Sequence, residues 1–213
     1  MPETINHSET RLFADDTILF RKINNTKDSD LPVLQQDLSA LERWENEWQM
    51  SFNPTKCTVI RVSPSKTKPV LPTHYQLHGH TLEVMEASKH LGVTITNDLS
   101  WDRHIDNVAA KGNRTLDFIR RNLRECTKQV RETSYLTILR PTLEYAAMVC
   151  DPTTQTLIQT LENVQRRAVR FVINDNISRT PGCVTSMLTS LEWQILEQRR
   201  RISRLVMMYK IQH

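Results

Sequence analysis

Two adjacent carboxylates, Asp15 and Asp16, stand between two short apolar runs, Arg11-Leu12-Phe13-Ala14 and Thr17-Ile18-Leu19-Phe20. The pattern predicts strand, tight turn and strand, with the acids at the tip. Neighbouring acids repel, so their pairing makes chemical sense where a divalent cation neutralises them. Mg²⁺ takes carboxylate and water oxygens and is completed by substrate phosphates. Two such ions, roughly 3.5–4 Å apart, stabilise the attacking and leaving oxygens of a phosphoryl transfer. An Asp-Asp turn also arises for purely local hydrogen-bonding reasons.

Other chemistries find less support. Only four glycines occur, and neither a GxGxxG nor a GxxxxGK[ST] run is present, which argues against a glycine-rich phosphate loop. Cys57, Cys126, Cys150 and Cys183 are widely spaced and form no CxxC pair. Free thiols in a reducing compartment are therefore expected. His78-Gly79-His80 is either a ligand pair or a hairpin turn. The turn is favoured, because no further Cys or His stands at zinc-site spacing.

The 213 residues suffice for one large or two small domains. Charge is unevenly spread: residues 1–100 carry 10 basic and 13 acidic side chains, residues 101–213 carry 18 and 11. An acidic front with a metal-type turn and a basic rear suits a nucleic-acid enzyme, although ordinary solvated surfaces give the same balance. The apolar runs are too short for a transmembrane helix, and Met1 to Ser8 lacks an apolar signal region. The expectation is an intracellular protein, in nucleus or cytoplasm, with no membrane partner.

The elements that would position these groups follow from periodicity. Leu34, Leu38, Leu41, Trp44 and Trp48 share one face of a helix over 31–50, with Pro32 in its first turn. That stripe places both tryptophans in a core rather than on a stacking platform. Asn53-Pro54 makes a turn before the β-branched strand Thr58 to Val62. Ser63 to Thr73, with Pro64, Pro69, Pro72, Lys66 and Lys68, reads as a loop. A hairpin around Gly79 and a short strand over 89–95 follow. From Trp101 the pattern is helical: a segment punctuated by Ile105, Val108, Leu116, Ile119 and Leu123, a helix from about 128 to 149 broken near Pro141, one from about 156 to 173, and one from 190 to 211. The last is expected to place Leu191, Leu196, Ile202, Leu205 and Tyr209 on one side. The fold class predicted is α+β, with an α+β front over 1–100 and an all-α rear over 101–213.

In order along the chain stand RLFADDTILF (11–20), LSALERWENEWQMSFNPTKC (38–57) and HLGVT (90–94). LSWDRHI, IRRNL, LRPTLEYAAMVCDP, LENVQRRAVRFV and SMLTSLEW followed by RRRISRLVMMYKI come after them. This ordered set resembles the end of a reverse transcriptase from a non-LTR (LINE-type) retrotransposon of the jockey or CR1-like kind. The resemblance runs from about Arg11 to Ile211. It implies a partial polymerase palm, made of β-hairpins and one amphipathic helix, followed by a thumb-like and post-polymerase helical region. It also implies RNA-directed DNA polymerisation, with Mg²⁺ as cofactor and an RNA template and DNA primer as partners.

Carried over by position, Asp15 would be a Mg²⁺ ligand and Asp16 would adjoin the site in a lesser ligand role. Lys56 matches the lysine of the next motif. An ammonium there could protonate leaving pyrophosphate or stabilise its charge; the alternative is a surface lysine beside a strand. Leu91, Gly92 and Val93 would lie in a primer-gripping hairpin, Gly92 allowing close backbone approach or simply making a turn. His90 replaces the usual aromatic, and Cys150 stands where tryptophan is common.

The acidic turn follows only 14 residues, too few for polymerase fingers and an earlier palm aspartate, and Asp28 and Asp30 are poor substitutes. A fragment without stand-alone activity is expected. Two further readings stay open. Arg120, Arg121, Arg124, Arg166, Arg167, Arg170 and Arg199 to Arg201 could track phosphates as a binding module, or form solvated helix faces. The chain could also be a remnant whose front folds poorly, since a lone hairpin is marginally stable.

Overall fold

The computed structural model describes residues 5, 7–23, 31–63 and 74–213. Asp28, Asp30 and the proline-rich stretch 64–73 lie outside the described residues. The chain divides into two compact units, one of residues 1–88 and 96–99, the other of 89–95 and 100–213.

The first unit opens with strands β1 (Glu9–Phe13) and β2 (Asp16–Phe20), paired antiparallel with Phe13 opposite Asp16. Helix α1 (Leu31–Trp48) follows the predicted span. Its stripe is only partly covered. Leu41 is buried, but Trp48 is 63% exposed, so the expectation of a core tryptophan fails there. The helix ends at this point, and Trp48 merely stacks on Trp44, ring centroids 6.4 Å apart.

The Asn53-Pro54 turn becomes a short 3-10 turn, Pro54–Lys56, leading into β3 (Thr58–Ile60). Strands β4 (Gln76–Leu77) and β5 (His80–Thr81) form the hairpin around Gly79. The chain then leaves that hairpin. β6 (Glu83–Met85) pairs in parallel with β3, Val59 opposite Val84. Tyr75, Leu77 and Leu82 form a small core with Leu34, Leu38, Phe52 and Val59 around it. The Gln35 amide acts as a further strand edge, donating to Gln76 O (2.9 Å) and accepting from Gln76 N (2.8 Å).

The predicted strand over 89–95 is in fact a hairpin. β7 (Ala87–His90) and β8 (Val93–Thr96) are joined at Leu91-Gly92. Both turn residues have positive φ, 46° and 80°, a backbone state that breaks a continuous strand. Residues 89–95 group with the helices.

The second unit is otherwise helical. α2 (Asp102–Asn122) packs on α5 (Gln155–Ile173). Between them, α3 (Lys128–Ser134), a π turn (Tyr135–Leu139) and α4 (Arg140–Glu144) run on as one bent rod. The bend has a local cause. Pro141 has no N–H and its ring crowds the preceding turn, so the ladder widens just before it. Arg140 N–H bonds Tyr135 O, five residues back. Regular helix stops at Glu144, short of the predicted Val149. Ile105, Leu116, Ile119, Leu139, Leu143, Leu161, Val169 and Val172 form the core.

The helix predicted over 190–211 starts six residues later, as α7 (Leu196–Gln212), and a separate short helix before it, α6 (Cys183–Ser190), has no counterpart in the sequence pattern. Leu191 and Leu196 are buried in the core, but Ile202, Leu205 and Tyr209 are exposed, so the expected apolar side covers core only at its start. Among the described residues no helix is long and apolar enough to cross a membrane, and the four cysteines are free thiols.

Gly112 marks the tightest point of the helical packing. A Cβ there would lie 2.7 Å from Leu143 Cδ2 and 3.3 Å from Val164 Cγ1. Gly112→Val is expected to destabilise the unit by about 1–3 kcal/mol through overpacking, more than the small gain in helix propensity. Denaturant unfolding followed by circular dichroism measures this. A variant as stable as the parent would mean the crossing has slack.

Candidate functional site

The acidic hairpin is built by its turn. Ala14 and Asp15 are the two turn residues, and Ala14 carries φ 53°, a left-handed state normally given to glycine or asparagine. Asp15 therefore sits on the turn and Asp16 on the first position of β2. Both are exposed. The strands present apolar side chains to solvent as well, Phe13 being 64% exposed. Arg11 holds Glu9 at 3.1 Å and lies over the Phe20 ring at 5.6 Å, so the hairpin braces itself.

The donors for a metal are incomplete. Among the described residues no group of three or more His, Cys, Asp or Glu could hold a metal ion. Two neighbouring carboxylates on a solvated turn do not by themselves fit the closed oxygen set of a two-ion phosphoryl-transfer site.

Lys56 ends the 3-10 turn and is exposed. Asn53 fixes that turn: its Oδ1 accepts from Thr55 N (3.0 Å) and Thr55 Oγ1 (2.7 Å), while its carbonyl accepts from Lys56 N (3.0 Å). This explains why an asparagine precedes Pro54. Among the described residues no hydrogen bond or ion pair joins Lys56 to Asp15 or Asp16.

His78 is not a ligand waiting for a metal. It occupies the β4–β5 turn, and its Nε2 lies 2.6 Å from Oε2 of the buried Glu45. Glu45 also accepts from Phe52 N, and Glu42 from His78 N. The two acids of α1 thus tie down backbone on either side of them.

Leu91, Gly92 and Val93 are held by two residues that the sequence did not single out. Tyr145 O–H donates to Leu91 O at 2.6 Å. A Cβ on Gly92 would stand 2.9 Å from Tyr145 Cε1, so this glycine serves both a positive φ and a close approach. His104, 2% exposed, accepts from Thr94 N at 3.2 Å through Nδ1. That bond requires the tautomer with hydrogen on Nε2. The only sequence signal for either residue is its polarity within an otherwise apolar helical stripe.

The arginines separate into two groups. Arg167 donates to Asn113 Oδ1 (2.6 Å) and Asp117 Oδ1 (3.1 Å). Arg170 donates to Ser178 O (2.8 Å) and reaches Cys183 Sγ at 3.3 Å. Arg199 pairs with Glu144, and Arg200 is buried 4.0 Å from Glu162. These four are engaged by contacts within the fold. Arg121, Arg124, Arg166 and Arg201 are exposed and Arg120 half-buried; Arg124 has only Glu125, at 3.6 Å.

The cysteines carry no evident chemistry. Burial pushes the Cys150 thiol up to about 11, keeping it protonated and unreactive near neutrality.

Part of the chain is similar to a known polymerase. The RNA-directed DNA polymerase from mobile element jockey of Drosophila melanogaster is 29% identical over 97 residues, which is 45% of this chain. The match spans about a tenth of that protein's length. It supports a reverse transcriptase relationship. No protein-family model matches the chain, and no solved structure does.

Burial holds the His104 imidazole below its ordinary value of 6.5. The neutral ring is the form that accepts from Thr94. Its contribution to stability is therefore complete above about pH 6.5 and is lost as pH falls from there through the depressed folded value. The denaturation midpoint of the parent is expected to drop between pH 7 and 5 by more than that of His104→Leu. Equal drops in the two proteins would rule out His104 as the source.

Proposed function

We propose that this chain is a fragment of an RNA-directed DNA polymerase from a non-LTR retrotransposon. In this reading the first unit carries the acidic hairpin and α1 of a polymerase palm, and the second unit a thumb-like helical region. The observation that carries it is the placement of Asp15 and Asp16 on the exposed tip of a two-residue hairpin. The similarity to the jockey polymerase supports it.

Asp15, with Asp16 beside it, would supply carboxylate oxygens to Mg²⁺ together with donors from outside the described residues. Lys56, exposed at the end of its turn, would face developing phosphate charge. The hairpin tip Leu91–Val93, held by Tyr145 and His104, would bear on a primer. In this reading the fragment would not copy RNA by itself, because the remaining metal donors would have to come from elsewhere.

Primer extension by the purified chain, on an RNA template with deoxynucleotides and Mg²⁺, is expected to give no product above background. Robust synthesis that Asp15→Asn abolishes would overturn the inactivity while upholding the role of Asp15.

A second reading has its own observation. Arg120, Arg121, Arg124 and Arg166 have no carboxylate among the described residues beyond the exposed contact of Arg124 with Glu125. Four such groups tracking a single strand would release about three counterions. The slope of log affinity for single-stranded RNA against log salt is then about −3. Arg121→Gln with Arg166→Gln should flatten that slope by about 1.4. Affinity indifferent to salt would exclude phosphate tracking.

A further inference from the structure

The second unit holds a recess for which the polymerase reading has no use. It measures about 240 Å³, and Tyr135, Arg140, Gln165, Glu192, Trp193 and Arg199 are among the residues that line it. Three features of its lining are costly for the fold alone.

The first is an orphan acceptor. Gln165 is 1% exposed. Its Nε2 donates to Tyr135 Oη (3.1 Å) and to Gln194 O (3.0 Å). Its Oε1 has no donor among the described residues. Exchanging the amide ends would not help, because the Gln194 carbonyl requires a donor. A buried acceptor without a donor destabilises a protein unless something else supplies one.

The second is Glu192. It follows α6 with φ 57°. Its N–H bonds Thr189 O (3.0 Å) and the next N–H bonds Leu188 O (2.9 Å). This is the helix-terminating position that glycine or asparagine normally takes. A glutamate is a poor choice there, yet the residue lines the recess and its carboxylate has no hydrogen bond or ion pair among the described residues. Strain of this kind concentrates at functional positions.

The third is unspent donor capacity beside flat aromatic surface. Arg199 is spoken for by Glu144, but Arg140 reaches that carboxylate only at 4.0 Å through Nε. Tyr135 and Trp193 stack with centroids 4.0 Å apart and planes 16° from parallel. Trp193 is pinned by its indole N–H to Glu132 Oε1 at 3.3 Å.

We infer that this recess is a binding site for a guanine base, free or within a nucleotide. Guanine carries two adjacent N–H donors, N1–H and the N2 amine, on one edge and two acceptors, O6 and N7, on another. The Glu192 carboxylate and Gln165 Oε1 match the donor edge. The Arg140 guanidinium matches the acceptor edge, the pairing arginine makes most often with guanine. Trp193, backed on one face by Tyr135, would be the aromatic residue on which a planar base stacks. In adenine and cytosine the ring nitrogen beside the amine is an acceptor rather than an N–H, which would set a lone pair against one of the two recess acceptors. The inference concerns free ligand and does not rest on the polymerase reading.

Calorimetric titration of the full chain with GMP, guanosine, AMP, CMP and inorganic phosphate tests it. GMP and guanosine are expected to bind, with AMP and CMP weaker by about tenfold or more, the discrimination of one good bidentate pair. Glu192→Gly should weaken GMP by about tenfold while raising the melting temperature by about 2 °C, since glycine suits that backbone. Glu192 is exposed, so the variant should fold. Absence of GMP binding, equal affinity for the three nucleotides, competition by phosphate alone, or unchanged GMP affinity in Glu192→Gly would each overturn the assignment.

Discussion

Much of the helical unit depends on one missing hydrogen. Pro141 has no N–H to offer its helix, and the ladder answers by widening into the Tyr135–Leu139 π turn. The extra residue rotates everything after it. Tyr135 and Leu139 both end up inside, and Leu143 lands against Gly112 of α2. Four residues beyond Pro141, Tyr145 reaches the Leu91 carbonyl. The same turn sets Tyr135 and Arg140 side by side in the recess. An ordinary α-helix through this stretch would displace the α2 crossing, the hairpin contact and the recess together.

The features that were legible in the sequence share a property: their burial is decided within one element. α2 and α5 bury regular stripes, such as Ile105, Leu116 and Ile119, and their limits fall within a residue or two of the periodic pattern. The acidic hairpin was legible because two-residue turns leave little choice of register. What escaped depends on distant partners. The parallel pairing of β3 with β6 joins strands more than twenty residues apart, and no local pattern announces it. α6 escaped because its eight residues hold too few apolar positions to fix a period. The apolar stripe of α7 misled for the converse reason: periodicity states that a face is apolar, not that anything covers it.

The arginines make the same point about the candidate site. Formal charge counts Arg121 and Arg167 alike. In the fold, Arg167 closes a fork on Asn113 and Asp117, and Arg170 caps the turn after α5, whereas Arg121 and Arg166 remain exposed. A basic helix is therefore an upper bound on phosphate contacts. Long-range carboxylates, such as Glu144 for Arg199 and Glu162 for Arg200, reduce it further. Engagement of this kind stiffens a helix pair and takes away part of the electrostatic footprint that composition suggests.

The acidic turn obeys a related constraint. Two adjacent carboxylates in water repel by only about 1 kcal/mol at 4 Å, and salt reduces this further. The exposed tip that holds Asp15 and Asp16 thus needs no cation to offset their repulsion. The demand for a metal arises only when a covering surface removes water and lowers the local dielectric, which raises the same repulsion severalfold. Metal affinity at such a turn is therefore a property of the closed cleft rather than of the hairpin. In the proposed polymerase the aspartates would supply direction and charge, and whatever enclosed them would supply the need for magnesium. A hairpin of this kind can keep its shape with or without the chemistry, so its geometry and its metal demand are separate physical properties.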